Sequence, residues 1–112
     1  MKTYRFTEQF QTVYDAAARL AQATDADALL LLADAPHDWE RLKGRSSEKK
    51  LLVAADFSDQ IVGASEAGLP TVLLNMPEAG VYEKLTQALL EAVADDLLAA
   101  GAQVVALYSG FE

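Results

Sequence analysis

The sequence predicts an α/β domain, a three-layer α/β/α sandwich around a four-stranded, all-parallel sheet of strand order 3-2-1-4. Three observations carry this. Four short, predominantly apolar runs, at 28–33, 51–55, 71–74 and 104–108, have the character of strands covered on both faces. Segments of helical periodicity separate them, so strands alternate with helices and pair in parallel through right-handed crossovers. Gly, Pro and Asp fall between the runs, where the chain must turn.

The first element, residues 6–23, repeats Phe6, Phe10, Val13, Tyr14, Ala17, Leu20 and Ala21 at helical spacing, with Thr7 as its N-cap. Thr24-Asp25-Ala26-Asp27 turns the chain into the first strand, Leu29 to Leu32 at its centre. A Pro- and Asp-bearing loop, 34–38, leads to a short helix over 39–43 that Gly44 ends. The second strand closes at Asp56. Ser58 then caps a helix predicted to reach Ala67, where Gly68 and Pro70 stop it. After the third strand and the loop Asn75-Met76-Pro77-Glu78, the longest helix is predicted over 78–100, with Gly101 as its stop. The fourth strand follows. All four strands are expected to be buried: 29–32, 51–53, 72–74 and 104–107.

A chain of 112 residues fits one domain with one core, so 1–112 is read as a single unit. The net charge of −8 opposes a phosphate backbone, which excludes nucleic acid as a partner. The basic cluster Arg41, Lys43, Arg45, Lys49 and Lys50 is interrupted by Gly44, Ser46, Ser47 and Glu48 and reads as a solvated connection. Without cysteine there is neither a disulfide nor a thiolate metal site. No apolar run approaches the ~20 residues that span a bilayer and no signal core opens the chain, so a cytoplasmic protein is expected.

In open parallel sheets ligands bind beyond the carboxyl ends of the strands. Asp34, Asp38, Asp56 and Asp59 lie there and suit a hard cation in principle, although Asp at strand ends is ordinary turn chemistry. His37 is the only histidine, which rules out a histidine metal cluster within one chain. Ser58 lacks the glycine-flanked elbow of a nucleophile and reads as a cap, and no glycine-rich phosphate cradle exists. A phosphoacceptor receiver adds a Lys and a hydroxyl at later strand ends; here Asn75 and Ser109 stand there with no Lys nearby. Trp39 reads as a packing anchor. The N-terminus of the Ser58 helix is the best generic anion site. If a small anionic or phosphorylated molecule binds, the side chains placed to meet it are Asp34, His37, Ser58, Asp59, Asn75 and Ser109. No catalytic residue, metal or cofactor is expected.

With the strands placed, Thr24-Asp25-Ala26-Asp27-Ala28-Leu29-Leu30-Leu31-Leu32, Gly68-Leu69-Pro70-Thr71-Val72-Leu73-Leu74 and the stretch from Gly101 through Tyr108-Ser109-Gly110-Phe111 resemble the C-terminal domain of pyruvate kinase. The likeness points to the versions found ahead of a diadenylate cyclase domain in proteins of the DNA-integrity-scanning type. It implies a non-catalytic accessory, regulatory or assembly domain in a longer chain with a fused C-terminal cyclase. The Ser/Thr-rich effector loop of pyruvate kinase is replaced by Asp34-Ala35-Pro36-His37-Asp38, and the cyclase signatures Asp-Gly-Ala and Arg-His-Arg are absent. The isolated chain is therefore expected to make no cyclic di-adenylate. The other reading is a sensor or small enzyme for an anionic metabolite at the strand ends. A homodimer is expected as well, because a helix over 78–100 would span ~34 Å against strands of ~17 Å and leave Val81, Leu97, Leu98, Tyr4 and Phe6 in need of cover.

Overall fold

The computed structural model describes residues 8–46 and 48–108. Its elements are α1 (Glu8–Ala23), β1 (Ala28–Leu32), α2 (Trp39–Gly44), β2 (Lys50–Ala55), a 3-10 turn (Ser58–Ile61), β3 (Thr71–Leu73), α3 (Val81–Ala94) and β4 (Val104–Tyr108). The sheet has the expected order β3-β2-β1-β4, with every pair parallel.

Register divides the side chains into two cores. Leu30 lies beside Leu52 on one side and Ala106 on the other, and Ala54 lies beside Val72. Because side chains alternate along a strand, Leu29, Leu31, Leu51, Val53, Ala55 and Leu107 share one face with Tyr14, Ala18 and Ala21 of α1 and with Trp39 and Leu42 of α2. Ala28, Leu30, Leu32, Leu52, Ala54 and Val72 share the other with Ala88 and Ala92 of α3. Alanines at the helix contacts let the helix backbones settle close to the large leucines of the strands.

The α1 stripe is narrower than its sequence suggests. Tyr14, Ala17, Ala18 and Ala21 are buried, whereas Val13 and Leu20 are exposed, since at 100° per residue both point roughly a quarter-turn or more away from the buried face. Tyr14 donates its hydroxyl to the Leu42 carbonyl at 2.8 Å, which ties α1 to α2. Burial pushes that hydroxyl well above the usual phenol range, and the neighbouring Asp15 adds to the shift. The expected cap Thr7 lies outside the described residues, as do Tyr4 and Phe6.

Two helices are shorter than predicted. The segment after β2 forms only the 3-10 turn, because the Val62 carbonyl accepts the Trp39 indole N–H at 2.7 Å instead of a helical amide. Gly63 then takes φ +94°, with Trp39 so close that an added Cβ would lie 3.2 Å from its ring. α3 begins at Val81, where the Gly80 N–H donates to Glu83 Oε1, and ends at Ala94. Asp96 adopts φ +62°, and Leu97 and Leu98 fold back with their N–H groups on the Ala92 carbonyl. Two adjacent carboxylates at the negative end of a helix disfavour another turn, and burying Leu98 rewards the reversal. α3 is then ~21 Å long. The overhang expected of a 23-residue helix does not exist.

The edge strands are also barer than predicted. β1 and the core of β2 are fully covered, but Leu73 on β3 is 48% exposed, Ala106 on β4 is exposed, and Val104 and Val105 are half-buried. A strand with one neighbour has an open flank, and a continuous apolar run does not say which strand lies at the edge.

Asp15 lies on the exposed side of α1 and receives Arg45 Nε at 3.0 Å and Nη2 in a forked pair. The hydrogen bond from Arg45 holds its carboxyl below the usual carboxylate range. A depressed carboxylate stabilises the fold above its unfolded pKa, and that contribution is lost as pH falls through the folded value. Asp15→Asn is expected to lower Tm at neutral pH, with the gap to the parent closing as pH drops below about 4; thermal melts across pH 2–7 check this.

Candidate functional site

The carboxyl ends of the strands do bring polar groups together, but on different residues from those expected. Asp56 closes β2 and is 9% exposed. Its Oδ2 accepts Lys84 Nζ at 2.6 Å and its Oδ1 accepts the Met76 N–H at 2.8 Å, while its own carbonyl accepts the Asn75 N–H at 3.1 Å. One carboxylate therefore clasps the end of β2, the loop after β3 and the first turn of α3. Lys84 is the lysine that the sequence reading placed nowhere near the strand ends. It reaches Asp56 because α3 starts beside β2 after the crossover from β3, a neighbourhood that strand order 3-2-1-4 implies once α3 is known to begin at Val81.

Of the residues expected to meet a ligand, Asp34 is exposed in the loop after β1, and Ser58 and Asp59 are exposed on the 3-10 turn. Asn75 is exposed and held at φ +54°, a conformation asparagine tolerates. Ser109 lies outside the described residues. His37 is not at the surface at all: it is 1% exposed, stacked on Phe10 with ring centroids 4.5 Å apart and edge-on to Trp39 at 5.5 Å. It packs the junction of α1 and α2 and presents nothing to solvent. Trp39 is buried beside it, in the anchoring role expected.

Ser58 is not a helix cap. Phe57 stands at the cap position, its N–H bound by Gln60 Oε1 at 2.9 Å, and four residues of 3-10 turn do not make the aligned helix end an anion site needs. Asp38 spends its carboxylate on the Arg41 N–H at 3.2 Å, where it caps α2. With Asp56 engaged by Lys84, the four strand-end aspartates do not converge, and among the described residues no three acidic or histidine side chains gather as a metal site would require.

The basic cluster is more structural than a solvated connection. Its cations hold partners within the chain, among them Lys43 on the Ala67 carbonyl, Arg45 on Asp15, Lys49 on Asp25 and Lys50 on the Leu97 carbonyl at 2.6 Å. The last of these closes a shallow groove of about 410 Å³ at the amino ends of the strands, lined by Asp27, Lys50 and residues 97–102. Asp27 is also committed, since its Oδ2 accepts the Gln103 N–H at 2.9 Å.

Lys84→Met removes the cation from a carboxylate that stays largely out of water, and is expected to cost about 2–4 kcal/mol of unfolding free energy. Asp56→Asn combined with Lys84→Met keeps an acceptor for the Met76 N–H without a stranded charge, and is expected to recover part of the loss. Urea unfolding of the two variants measures the difference.

Residues 9–112 match a family model described as "Probable sensor domain DacZ_P". No curated protein matches the chain.

Proposed function

We propose, from the premise that this chain belongs to the DacZ_P family of sensor domains, that it controls a diadenylate cyclase carried on the same polypeptide. The chain is a non-catalytic regulatory domain. The observation that most supports the control reading is the Asp56–Lys84 clasp: the two charged groups withdrawn from water at the carboxyl ends are occupied in joining β2, the loop after β3 and α3. Anything that engages Asn75 or Lys84 alters the seating of α3. The carboxyl edge is thus the part of the fold where binding of a small anionic molecule is most directly converted into a movement of a helix.

The kinship with the pyruvate kinase C-terminal domain belongs to this proposal. What supports it is the order 3-2-1-4 together with the quoted segments at β1, β3 and β4. A place in the cytoplasm goes with it, since ATP is the substrate of the proposed partner activity; no described helix is long and apolar enough to cross a membrane.

The test compares cyclic di-adenylate synthesis from ATP and a divalent metal by three samples: this chain alone, the cyclase-bearing polypeptide, and that polypeptide lacking this domain. The expected result is no product from the chain alone and a changed rate when the domain is removed. Product from the 112-residue chain, or an unchanged rate without it, overturns the proposal.

A further inference from the structure

The least-covered part of the core is β4. Its neighbours on β1, Ala28, Leu30 and Leu32, are 0–2% exposed, yet on the same face Val104 and Tyr108 are half-buried and Ala106 is exposed. α3 packs towards the β3 side of that face, so along β4 Val104 and Tyr108 pack only partly against this core and Ala106 faces out. Parallel strands need cover on both faces, so this strand is out of keeping with β1 and β2.

Among the described residues, no strand pairs with the outer backbone edge of β4. The Asp27 N–H donates to the Gln103 carbonyl at 2.7 Å, and the Gln103 N–H donates to Asp27 Oδ2 at 2.9 Å, so both backbone groups of Gln103 turn towards β1. Backbone direction alternates along a strand, which turns Val105 and Leu107 towards β1 and Val104 and Ala106 outwards. Natural sheet edges are guarded by charges, prolines, bulges or short length. β3, at the opposite edge, is three residues long and follows Pro70. β4 is five residues of Val-Val-Ala-Leu-Tyr with none of these guards.

Charge selects the occupant. Residues 97–111 contain no charged side chain, in a chain whose net charge is −8. Two copies repel each other over most of their surfaces, but not across this run. It is also self-complementary: an antiparallel two-fold pairing centred on Ala106 sets Ala106 against the second copy's Ala106, Val104 against its Tyr108 and Val105 against its Leu107. The smallest side chain then falls on the axis, and a β-branched residue meets an aromatic one on the α3 face, a favourable cross-strand pair. We propose that β4 is the edge through which a second copy of this chain pairs, joining two four-stranded sheets into one of eight strands about a two-fold axis. The dimer expected from the sequence is thereby assigned to a strand edge and not to the end of a long helix.

Sedimentation equilibrium tests this with a charge swap on the axis. Ala106 is exposed, so Ala106→Glu and Ala106→Lys fit the single chain. The parent is expected to approach twice the 12.1 kDa chain mass with rising concentration. Each variant alone is expected to dissociate with an apparent Kd raised about tenfold or more by like charges facing each other, and an equimolar mixture of the two to dimerise again. Independently of the variants, hydrogen exchange at the Val104 and Ala106 amides of the parent is expected to slow as concentration rises. A parent that stays at 12.1 kDa, variants that dimerise as the parent does, a mixture that fails to recover, or amide exchange indifferent to concentration each overturns the pairing.

Discussion

β1 has no free side. Its five residues are buried on both faces, β2 and β4 occupy its two edges, and a leucine run of this kind stabilises the fold only if other elements close every direction around it. Closure on one face recruits α1 and α2, and on the other α3. Each Leu side chain so enclosed contributes about 1.5–3 kcal/mol relative to exposure, which makes the enclosure of β1 the condition that the rest of the chain satisfies. The helices are rich in Ala at their contacts because they must approach leucines already filling the space above the sheet. β4 is the side of that enclosure completed least.

Electrostatics is organised around the same requirement. A chain of net charge −8 has few cations, and those the structure resolves with partners are used as fasteners. Lys43, Arg45, Lys49 and Lys50 bind acceptors on other elements, and Lys84 holds Asp56. The exposed pairs add little individually. Asp56 and Lys84 differ because both are largely withdrawn from water, where a lost partner costs much more than an exposed pair gains. The strand-end chemistry therefore serves attachment of α3, which suits a domain that transmits binding better than one that turns over a substrate.

The sheet was legible in the sequence because its signal is local. An unbroken run such as Leu29 to Leu32 between turn residues has few other readings, and alternation with helices then leaves the order 3-2-1-4 as the natural winding. Helix ends were not legible, since they are decided at a distance. The Val62 carbonyl is claimed by Trp39, 23 residues earlier in the chain, and α3 stops at Ala94 because burial of Leu98 competes with further helix. The candidate site failed for the same reason. Asp56 was visible as a strand-end carboxylate, but its partner Lys84 is 28 residues away, and a lone His37 in a polar loop gave no hint that Phe10 and Trp39 enclose it. Exposure on β3 and β4 required knowing which strands lie at the edges and which of them a helix covers.

Regulation by such a domain needs a route from the sensed group to whatever it controls, and the architecture restricts the choice. The carboxyl edge reaches α3 through Lys84, and α3 reaches β4 through the turn that begins at Asp95 and carries Leu97 and Leu98 back under the sheet. That turn is held at two points, by Leu97 and Leu98 on the Ala92 carbonyl and by Lys50 on the Leu97 carbonyl. A shift of α3 at its amino end therefore arrives at the amino end of β4, next to the Asp27–Gln103 contact that fixes that strand against β1. β1 itself, enclosed on every side, has no room to take up the displacement. Among the described residues α3 and β4 are less enclosed than β1, so a route from the Asp56 clasp through α3 to β4 is the one that the proposed regulation would use.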